Sequence, residues 1–376
     1  MADSDGANGK IQLTPYDLLG YLTPGGTMIL AIFAFEYLVE KAVLKEHGPQ
    51  HALRAPLLES TTELLSQALA SHSSAGVVAV ATVLLAIAYV VGHVVASISA
   101  LVIDRTLIYK GCGYPCSNLL KLNRYNKERE FSRAFYRGFF FWTNLLLILS
   151  YAALFVTRRS SPLLLFIAIT VASLIFFALL VKLASSSRWA TNRPDRAHAN
   201  WPQWFMKYCF AGPFDILGQP LAKIMDTRRS FDDAFINLYR QLFAETFAVD
   251  IDSAGTNNFW LTYCYVMEET AHLRSLVSFW RTMYTFARNL AAAFYVAFIY
   301  CFSWLLVQLP IVREHASLFP FYLPLILLAC SYVLLVRYYY LYVCYFNKFV
   351  LRSFVFAEQF RRRSATVVVG AAFHKE

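Results

Sequence analysis

Two apolar runs of about 20 residues each dominate residues 138–184 of this chain. A helix of about 20 residues is long enough to cross the hydrocarbon core of a bilayer, which is about 30 Å thick. Only the short segment 157–162, Thr-Arg-Arg-Ser-Ser-Pro, separates the two runs. This spacing predicts a helical hairpin, because every backbone polar group inside lipid must be bonded within the protein. The chain is therefore predicted to be an integral membrane protein.

Further apolar runs of similar length occur before and after this hairpin. The composition agrees with a membrane protein, because 58% of the residues are apolar and 15% are charged, against about 25% charged in soluble proteins. The predicted fold class is all-α, a polytopic integral membrane protein with about six transmembrane helices and a helical cytosolic insertion. The predicted spans outside the hairpin are about 26–44, 75–103, 288–309 and 321–345.

The alternation of apolar and polar stretches divides the chain into five predicted regions. The boundaries follow the predicted spans, and no internal repeat is visible. The regions are a cytosolic or interfacial N-terminal segment, 1–25; transmembrane helices one to four, 26–184; a cytosolic helical region, 185–287; transmembrane helices five and six, 288–345; and a basic cytosolic tail, 346–376.

Basic residues are concentrated in one set of connections. Segment 104–137, region 185–287 and the tail hold most of the Lys and Arg residues. Because cytoplasmic loops carry an excess of these residues, we expect both termini in the cytosol and the protein in a bacterial plasma (inner) membrane. No cleavable signal peptide is predicted, since Lys10 is the single base within residues 1–20. The seven cysteines, an odd number, fit reduced thiols better than a disulfide framework.

Local patterns predict how particular segments fold. Pro24, Gly25 and Gly26 predict a break between an interfacial segment and the start of the first span. The pattern of Phe231–Phe247, with Ser230 as the cap, predicts an amphipathic helix. Residues 259–309 contain no Pro or Gly, which predicts one helix of about 50 residues. The sixth span is predicted to continue as a helix past Phe346, so two long helices would form a cytosolic stalk.

We single out four ionisable residues inside the predicted spans, where a charge is costly and normally faces a partner or water. Glu36 lies near the middle of the first span, and Glu40 follows one turn later. His93 lies in the second span at comparable depth, and Arg337 lies in the sixth span. We interpret these four residues as members of either an ion path or a structural buried pair, since both arrangements would satisfy the carboxylates.

Three arginines recur every seven residues on the predicted long helix. Arg274, Arg281 and Arg288 therefore lie nearly on one face, with a drift of about 20° per step. Such a stripe predicts contact with an anionic ligand or with anionic lipid headgroups, or else a solvated helix face.

No catalytic, metal or cofactor site is predicted. Glu269 and His272 form one Glu-x-x-His pair, whereas di-iron bundles use two such pairs with two more carboxylates. Cys112 and Cys116 have three residues between them, and a redox motif has two. The sequence has no HExxH motif, serine elbow or phosphate-binding Gly-Lys loop. No basic cluster belongs to a recognisable nucleic-acid module, so no nucleic-acid partner is expected.

These features lead to three hypotheses for function. The first is a channel or pore-like protein that is regulated by its cytosolic helices, and it depends on the ionisable residues within the spans. The second is a membrane scaffold or sensor in which region 185–287 binds a cytosolic protein or an anionic ligand. The third, a lipid-modifying enzyme, has the least support, and an enzyme is less expected than a non-enzyme. The expected partners are the bilayer with its anionic headgroups, a further copy of the chain and a cytosolic protein.

Overall fold

The described part of the chain is helical. The computed structural model describes residues 15–47, 63, 66, 74–122, 130–156, 211, 230–254, 257–307 and 319–373. Within these residues the regular elements are helices and no strand occurs, which confirms the all-α prediction. The longer elements are π1 (Leu18–Leu22), α1 (Thr23–His47), α2 (Ser74–Ser99), π2 (Ala100–Cys112), α3 (Glu130–Val156), α4 (Asp233–Phe247), α5 (Asn258–Glu269), α6 (Ala271–Val307), α7 (Phe319–Tyr340), π3 (Leu341–Asn347) and α8 (Lys348–Phe373).

Four helices in the described residues are long and apolar enough to cross a membrane, and they match the predicted first, second, fifth and sixth spans. The structure therefore supports four spans, fewer than the six predicted. The predicted third span lies in α3, which is helical but is not one of the four, and the second run of the hairpin lies outside the described residues. The four segments are Leu18–Val39, Val78–Leu119, Leu273–Leu306 and Phe321–Ser364.

One face of α2 is both apolar and exposed. Val83, Ile87, Val90, Val94 and Ile98 follow one another at steps of three or four residues, and each is between 44% and 61% exposed. A continuous apolar stripe of this kind is unfavourable in water and is the normal surface of a helix that faces lipid. The stripe supports a membrane-integral protein.

The opposite face of α2 crosses α1 with the two backbones in contact. A Cβ atom added to Gly25 would lie 1.9 Å from the carbonyl oxygen of Ala88, and one added to Gly92 would lie 1.9 Å from that of Tyr21. Small residues permit such close crossings in membrane proteins. Tyr21 of π1 pairs with Gly92, and the later Gly25 of α1 pairs with the earlier Ala88. The continuous helix of π1 and α1 is therefore antiparallel to α2.

The predicted break at Pro24 and Gly25 is wrong. The chain is helical from Pro15 to His47 and has only a change to π geometry at π1. Pro24 lies inside this continuous helix and has no N–H to donate to the preceding turn. Gly25 serves the close crossing with α2 rather than a change of direction.

The helices α6 and α7 are antiparallel neighbours, and their contacts define the two ends of the bundle. The Ser331 hydroxyl donates to the carbonyl of Ala291 at 2.8 Å, and Tyr284 packs against Tyr342 with ring centroids 4.9 Å apart. We call the end that contains Tyr342 the junction end and the opposite end, which contains Phe321, the distal end.

Helix α3 extends along the bundle from one end to the other. Near the junction end, the Arg137 guanidinium donates to the carbonyl of Gly111 at 3.3 Å. Near the distal end, the Tyr151 hydroxyl donates to the carbonyl of Phe321 at 2.5 Å. Fourteen residues separate the two contacts on α3, which corresponds to about 21 Å of helix.

Helices α4, α5 and α8, which we call the junction helices, pack together beyond the junction end. The Tyr239 hydroxyl of α4 lies 2.6 Å from that of Thr262 in α5, and its ring packs against Phe354 of α8. The predicted amphipathic helix is confirmed, although its cap is Asp232 rather than Ser230.

The prediction of one helix over 259–309 is wrong, because α5 ends at Glu269 and α6 starts at Ala271. At Thr270 the backbone leaves helical geometry, with φ −119° and ψ 74°. The Arg281 guanidinium donates to the Tyr263 hydroxyl at 3.1 Å, whereas residues 18 apart in one helix would be separated by about 27 Å. The Thr270 hydroxyl donates to the carbonyl of Val266, a local bond that competes with helix continuation.

The predicted continuation of the sixth span past Phe346 is confirmed. Helix α7, segment π3 and helix α8 follow one another without an interruption from Phe319 to Phe373. One helical rod therefore connects the bundle to the junction helices.

Candidate functional site

The three π-helical segments of the described residues lie together at the junction end. Gly20 of π1 is bonded to α6, Asp104 of π2 is bonded to α6 and α7, and Tyr109 of π2 is bonded to π3. π-Helical turns are rare and frequently mark functional sites. The junction end is therefore the strongest candidate for a functional site.

A buried ion pair lies at the centre of this end. One carboxylate oxygen of Asp104 is paired with the Arg288 guanidinium, and the other accepts a hydrogen bond from the Tyr338 hydroxyl at 2.5 Å. The side chains of Arg288 and Asp104 are 11% and 18% exposed. The ion pair connects π2 with α6, and the bond from Tyr338 adds α7. Removal of one partner would leave an uncompensated buried charge.

A fully buried amide extends the ion pair to π1 and α2. The Asn289 Nδ2 atom donates to the carbonyl of Gly20 at 2.7 Å. Its Oδ1 atom accepts bonds from the Ser99 hydroxyl at 2.7 Å and from Arg288 Nε at 3.1 Å. We call Asp104, Arg288, Tyr338, Asn289 and Ser99 the junction network.

An aromatic cleft of about 200 Å³ lies beside the junction network. Its walls come from π2, from the segment that follows π2, from α5 and from π3. Two asparagines, Asn257 and Asn347, add amide groups to the wall. The aromatic residues of the wall are Tyr109, Tyr114, Phe259, Trp260 and Tyr342.

The cleft and the network share a wall. The Tyr109 hydroxyl lies 3.0 Å from the Tyr342 hydroxyl, and the Tyr342 ring stacks on Tyr338 with centroids 5.8 Å apart. Tyr338 is the residue that donates to Asp104. A ligand that moved Tyr342 would therefore act on the ion pair through one stacked ring.

A second polar cluster holds the junction helices to one another. Glu358 of α8 is fully buried and accepts a hydrogen bond from the Tyr265 hydroxyl of α5. The Arg361 guanidinium donates to its second oxygen at 3.0 Å, and Arg362 is paired with Glu245 of α4. The cluster joins α4, α5 and α8 into one unit.

The pKa values of Tyr265 and Glu245 in this unit are shifted on folding. Burial raises the pKa of Tyr265, and the hydrogen bond to Glu358 raises it further. A hydrogen bond from Gln241 and another from Arg362 lower the pKa of the Glu245 carboxyl.

The structure does not bring Glu36 and His93 together. Glu36 is 1% exposed and accepts a hydrogen bond from the Tyr300 hydroxyl in α6. His93 is exposed at the junction end and stacks on Tyr21 with ring centroids 3.8 Å apart. Gly25 marks the level of His93 on α1, and Glu36 follows Gly25 by eleven residues, which is about 16 Å of helix.

The other two residues of the predicted ion path also lie apart. Arg337 is exposed in the last turn of α7, next to Tyr338 at the junction end. Glu40 lies in α1 one turn beyond Glu36, and its side chain is outside the described part of the structure. Of the four residues, Glu36 is the one whose described side chain is buried within the bundle, where it accepts a hydrogen bond from Tyr300.

The three arginines of the predicted stripe have three different partners. Arg288 is paired with Asp104, and Arg281 is bonded to Tyr263, as described above. The Arg274 Nε atom donates to the carbonyl of Met267 at 2.8 Å, and its side chain is exposed. The stripe therefore does not form one anion site, although Arg274 can still face an anionic headgroup.

Sequence reasoning missed the junction network and the cleft. A usable signal was present, since Asp104 ends the predicted second span and Arg288 opens the predicted fifth span with the opposite charge. The cleft had no such signal, because its walls come from four separate parts of the chain.

No group of three or more His, Cys, Asp and Glu residues in the described ranges could hold a metal ion. No protein-family model, curated protein or solved structure matches this chain. Its class follows from the fold and the site, which define an all-α protein with apolar helices of membrane length, a buried ion pair and an aromatic cleft at one end.

Proposed function

We propose that the protein is a membrane sensor in which a ligand bound in the aromatic cleft changes how the junction helices sit against the spans. The observation that carries this proposal is the composition of the cleft wall. Tyr109 and Tyr342 belong to the continuations of membrane-length helices, whereas Phe259 and Trp260 belong to α5. A ligand that contacts α5 and the continuations of the spans would bind with a different affinity to each arrangement of the junction helices against the spans. Such a difference in affinity is the requirement for a ligand to shift a conformational equilibrium.

The junction helices supply the output of this sensor. They form one unit through the Glu358 cluster, and α8 continues directly from α7. A shift at the cleft would therefore be transmitted as a movement of the whole unit, whose exposed surface would bind a cytosolic protein.

A thermal-shift screen tests the proposal on the purified full-length chain in detergent. Compounds that stabilise the chain through the cleft should lose their effect in Trp260→Leu. They should keep it in Trp142→Leu, which removes an exposed tryptophan of α3 away from the cleft. Equal stabilisation of both variants by every active compound would contradict the proposal.

We also propose six spans, and two contacts support this number. Tyr151 of α3 contacts Phe321 at the distal end. The backbone N–H of Phe231 donates to the carbonyl of Leu119 at 3.1 Å, on the junction side. The chain must therefore return from the distal end to the junction end between residues 156 and 230, and the second run of the hairpin is the segment with the length to do so. Helix α3 and this run complete the six.

The orientation follows from the distribution of basic residues. Segment 104–137, at the junction end, holds eight Lys and Arg residues against three acidic residues. The positive-inside rule then assigns the junction helices and both termini to the cytosol, and we propose a bacterial plasma membrane as the location.

A channel is the second candidate, and one observation favours it. His93 and Arg337 are ionisable residues exposed on the outside of the bundle, so they would line a path only between copies of the chain. Ion flux into liposomes separates this candidate from the sensor. A channel between copies predicts a flux that falls in His93→Ala and stays unchanged in Trp260→Leu, whereas a flux altered by Glu36→Gln would indicate a path within one chain.

A further inference from the structure

The aromatic cleft is uncharged. Among the described residues that line it, none carries a charge at neutral pH, and five contribute aromatic rings. An anion would lie among these aromatic rings without a basic partner, which is unfavourable. A primary ammonium would need three hydrogen-bond acceptors to replace its water, whereas a quaternary ammonium donates no hydrogen bonds.

The ring geometry fits a rounded group better than a flat one. A flat ligand needs two parallel rings with a ring-sized gap between them. Tyr109 and Tyr114 are nearly parallel, at 19°, but their centroids are 4.8 Å apart and they fill the gap between them. The planes of Phe259 and Trp260 meet at 71°. These rings form the walls of a box rather than the sides of a slot.

The size and the position of the cleft agree with a lipid-type headgroup. Its volume of about 200 Å³ is below the range of about 300–1,000 Å³ that is typical of sites for drug-sized ligands. Trp260 is 57% exposed beside it, at the end of the spans, where tryptophan commonly marks the headgroup level of a membrane.

We propose that the cleft binds a quaternary ammonium group, which is carried either by a choline-type lipid headgroup or by a free trimethylammonium compound. This proposal rests on the proposed role of the cleft as the ligand site of a sensor. Aromatic side chains that surround such a group attract it through their π-faces. Trp260 is the residue expected to contribute most, since indole is the strongest of the three aromatic rings in this interaction.

Calorimetric titration of the full-length chain in a choline-free detergent tests the proposal. Choline is compared with its uncharged carbon analogue, in which carbon replaces the ammonium nitrogen. We expect choline to bind at least about tenfold more tightly than the analogue, and Trp260→Leu to remove most of this difference. Trp260→Phe keeps a ring and should lose less, while Trp142→Leu should bind as the wild type does. Circular dichroism of each variant checks that it is folded.

Two lipid compositions separate the two sources of the group. Nanodiscs of phosphatidylcholine should compete with free choline for the cleft if the ligand is a headgroup, and nanodiscs of phosphatidylglycerol should not. If neither lipid competes and choline still binds, the ligand is a free trimethylammonium compound, which also supports the proposal.

Three results would overturn it, and they differ in what they leave standing. Equal affinity for choline and its carbon analogue would show that the cleft binds apolar groups rather than cations, and binding of adenosine but not choline would show a slot for flat rings. In both cases the cleft remains a ligand site. If no compound binds in a Trp260-dependent manner, both this inference and the sensor proposal fail.

Discussion

The close crossing of α1 and α2 allows a matched test with two adjacent glycines. At Gly25 an added Cβ would lie 1.9 Å from the carbonyl oxygen of Ala88 and 2.6 Å from the amide nitrogen of Gly92. At Gly26 an added Cβ would meet nothing within 4 Å. Gly25→Ala and Gly26→Ala therefore make the same chemical change in the same helix, and only one of them faces α2.

The expected magnitude follows from these distances. A carbon atom and a carbonyl oxygen rarely approach closer than about 3.3 Å, so Gly25→Ala must move the two helices apart by about 1.4 Å. A gap of even 0.5–1 Å loses about a quarter to a half of the van der Waals attraction between facing atoms. Overpacking of this kind costs about 1–3 kcal/mol. Gly26→Ala should be neutral or should stabilise by up to about 1 kcal/mol, because Ala favours the helix.

Thermal unfolding of the purified chain in one detergent measures the difference between the two variants. Gly25→Ala should unfold at a lower temperature than the wild type, and Gly26→Ala at the same or a higher temperature. Equal stability of the two variants would refute the antiparallel contact of α1 and α2.

Three other predictions follow from polar contacts. Asp104→Asn leaves the buried Arg288 guanidinium without its counter-charge and should cost about 3 kcal/mol, whereas the double variant Asp104→Leu/Arg288→Met should lose less; equal losses in thermal unfolding would contradict the buried pair. Asn144→Leu removes an oxygen that accepts hydrogen bonds from one tyrosine hydroxyl of α6 and one of α7, at 3.0 and 2.8 Å. The change should lower the free energy of unfolding by about 1–2 kcal/mol, and an unchanged stability would contradict the packing of α3 against α6 and α7. The pKa of Glu245 is lowered on folding, so its stabilising contribution is complete above about pH 4.5 and disappears as the pH falls below this value. Glu245→Gln should therefore flatten the loss of stability in acid, and an unchanged pH profile would exclude the pair with Arg362.

The lengths of the apolar runs were sufficient to predict helices, the four membrane-length segments and the helical continuation from α7 into α8. The break at Thr270 could not be predicted in the same way. A threonine inside a run without Pro or Gly normally continues a helix. Here the Thr270 hydroxyl bonds to the carbonyl of Val266, and the bend brings Tyr263 into contact with Arg281. The contact joins residues on both sides of the bend, which a pattern of residue types along one helix does not encode.

The candidate site was even less accessible from the sequence. Glu36 was singled out because a carboxylate in a span is unusual, and the structure places it beside Tyr300. Its predicted neighbour His93 lies elsewhere because α1 begins near the junction end, which shifts the depth of every residue on it. The pairing of Asp104 with Arg288 depends on the order in which helices surround one another, which hydropathy does not encode. The channel and the lipid-modifying enzyme stay predictions.

The most direct test of the account is the side of the membrane on which each end of the bundle lies. Single cysteines at Ser160 and at Glu245, in a chain whose seven native cysteines are replaced by Ala, are labelled with a membrane-impermeant maleimide in intact cells and after lysis. We predict that position 160 reacts in intact cells and that position 245 reacts only after lysis. Labelling of both positions from the same side would show an even number of crossings between α3 and α4, and it would contradict the six-span arrangement with a cytosolic cleft.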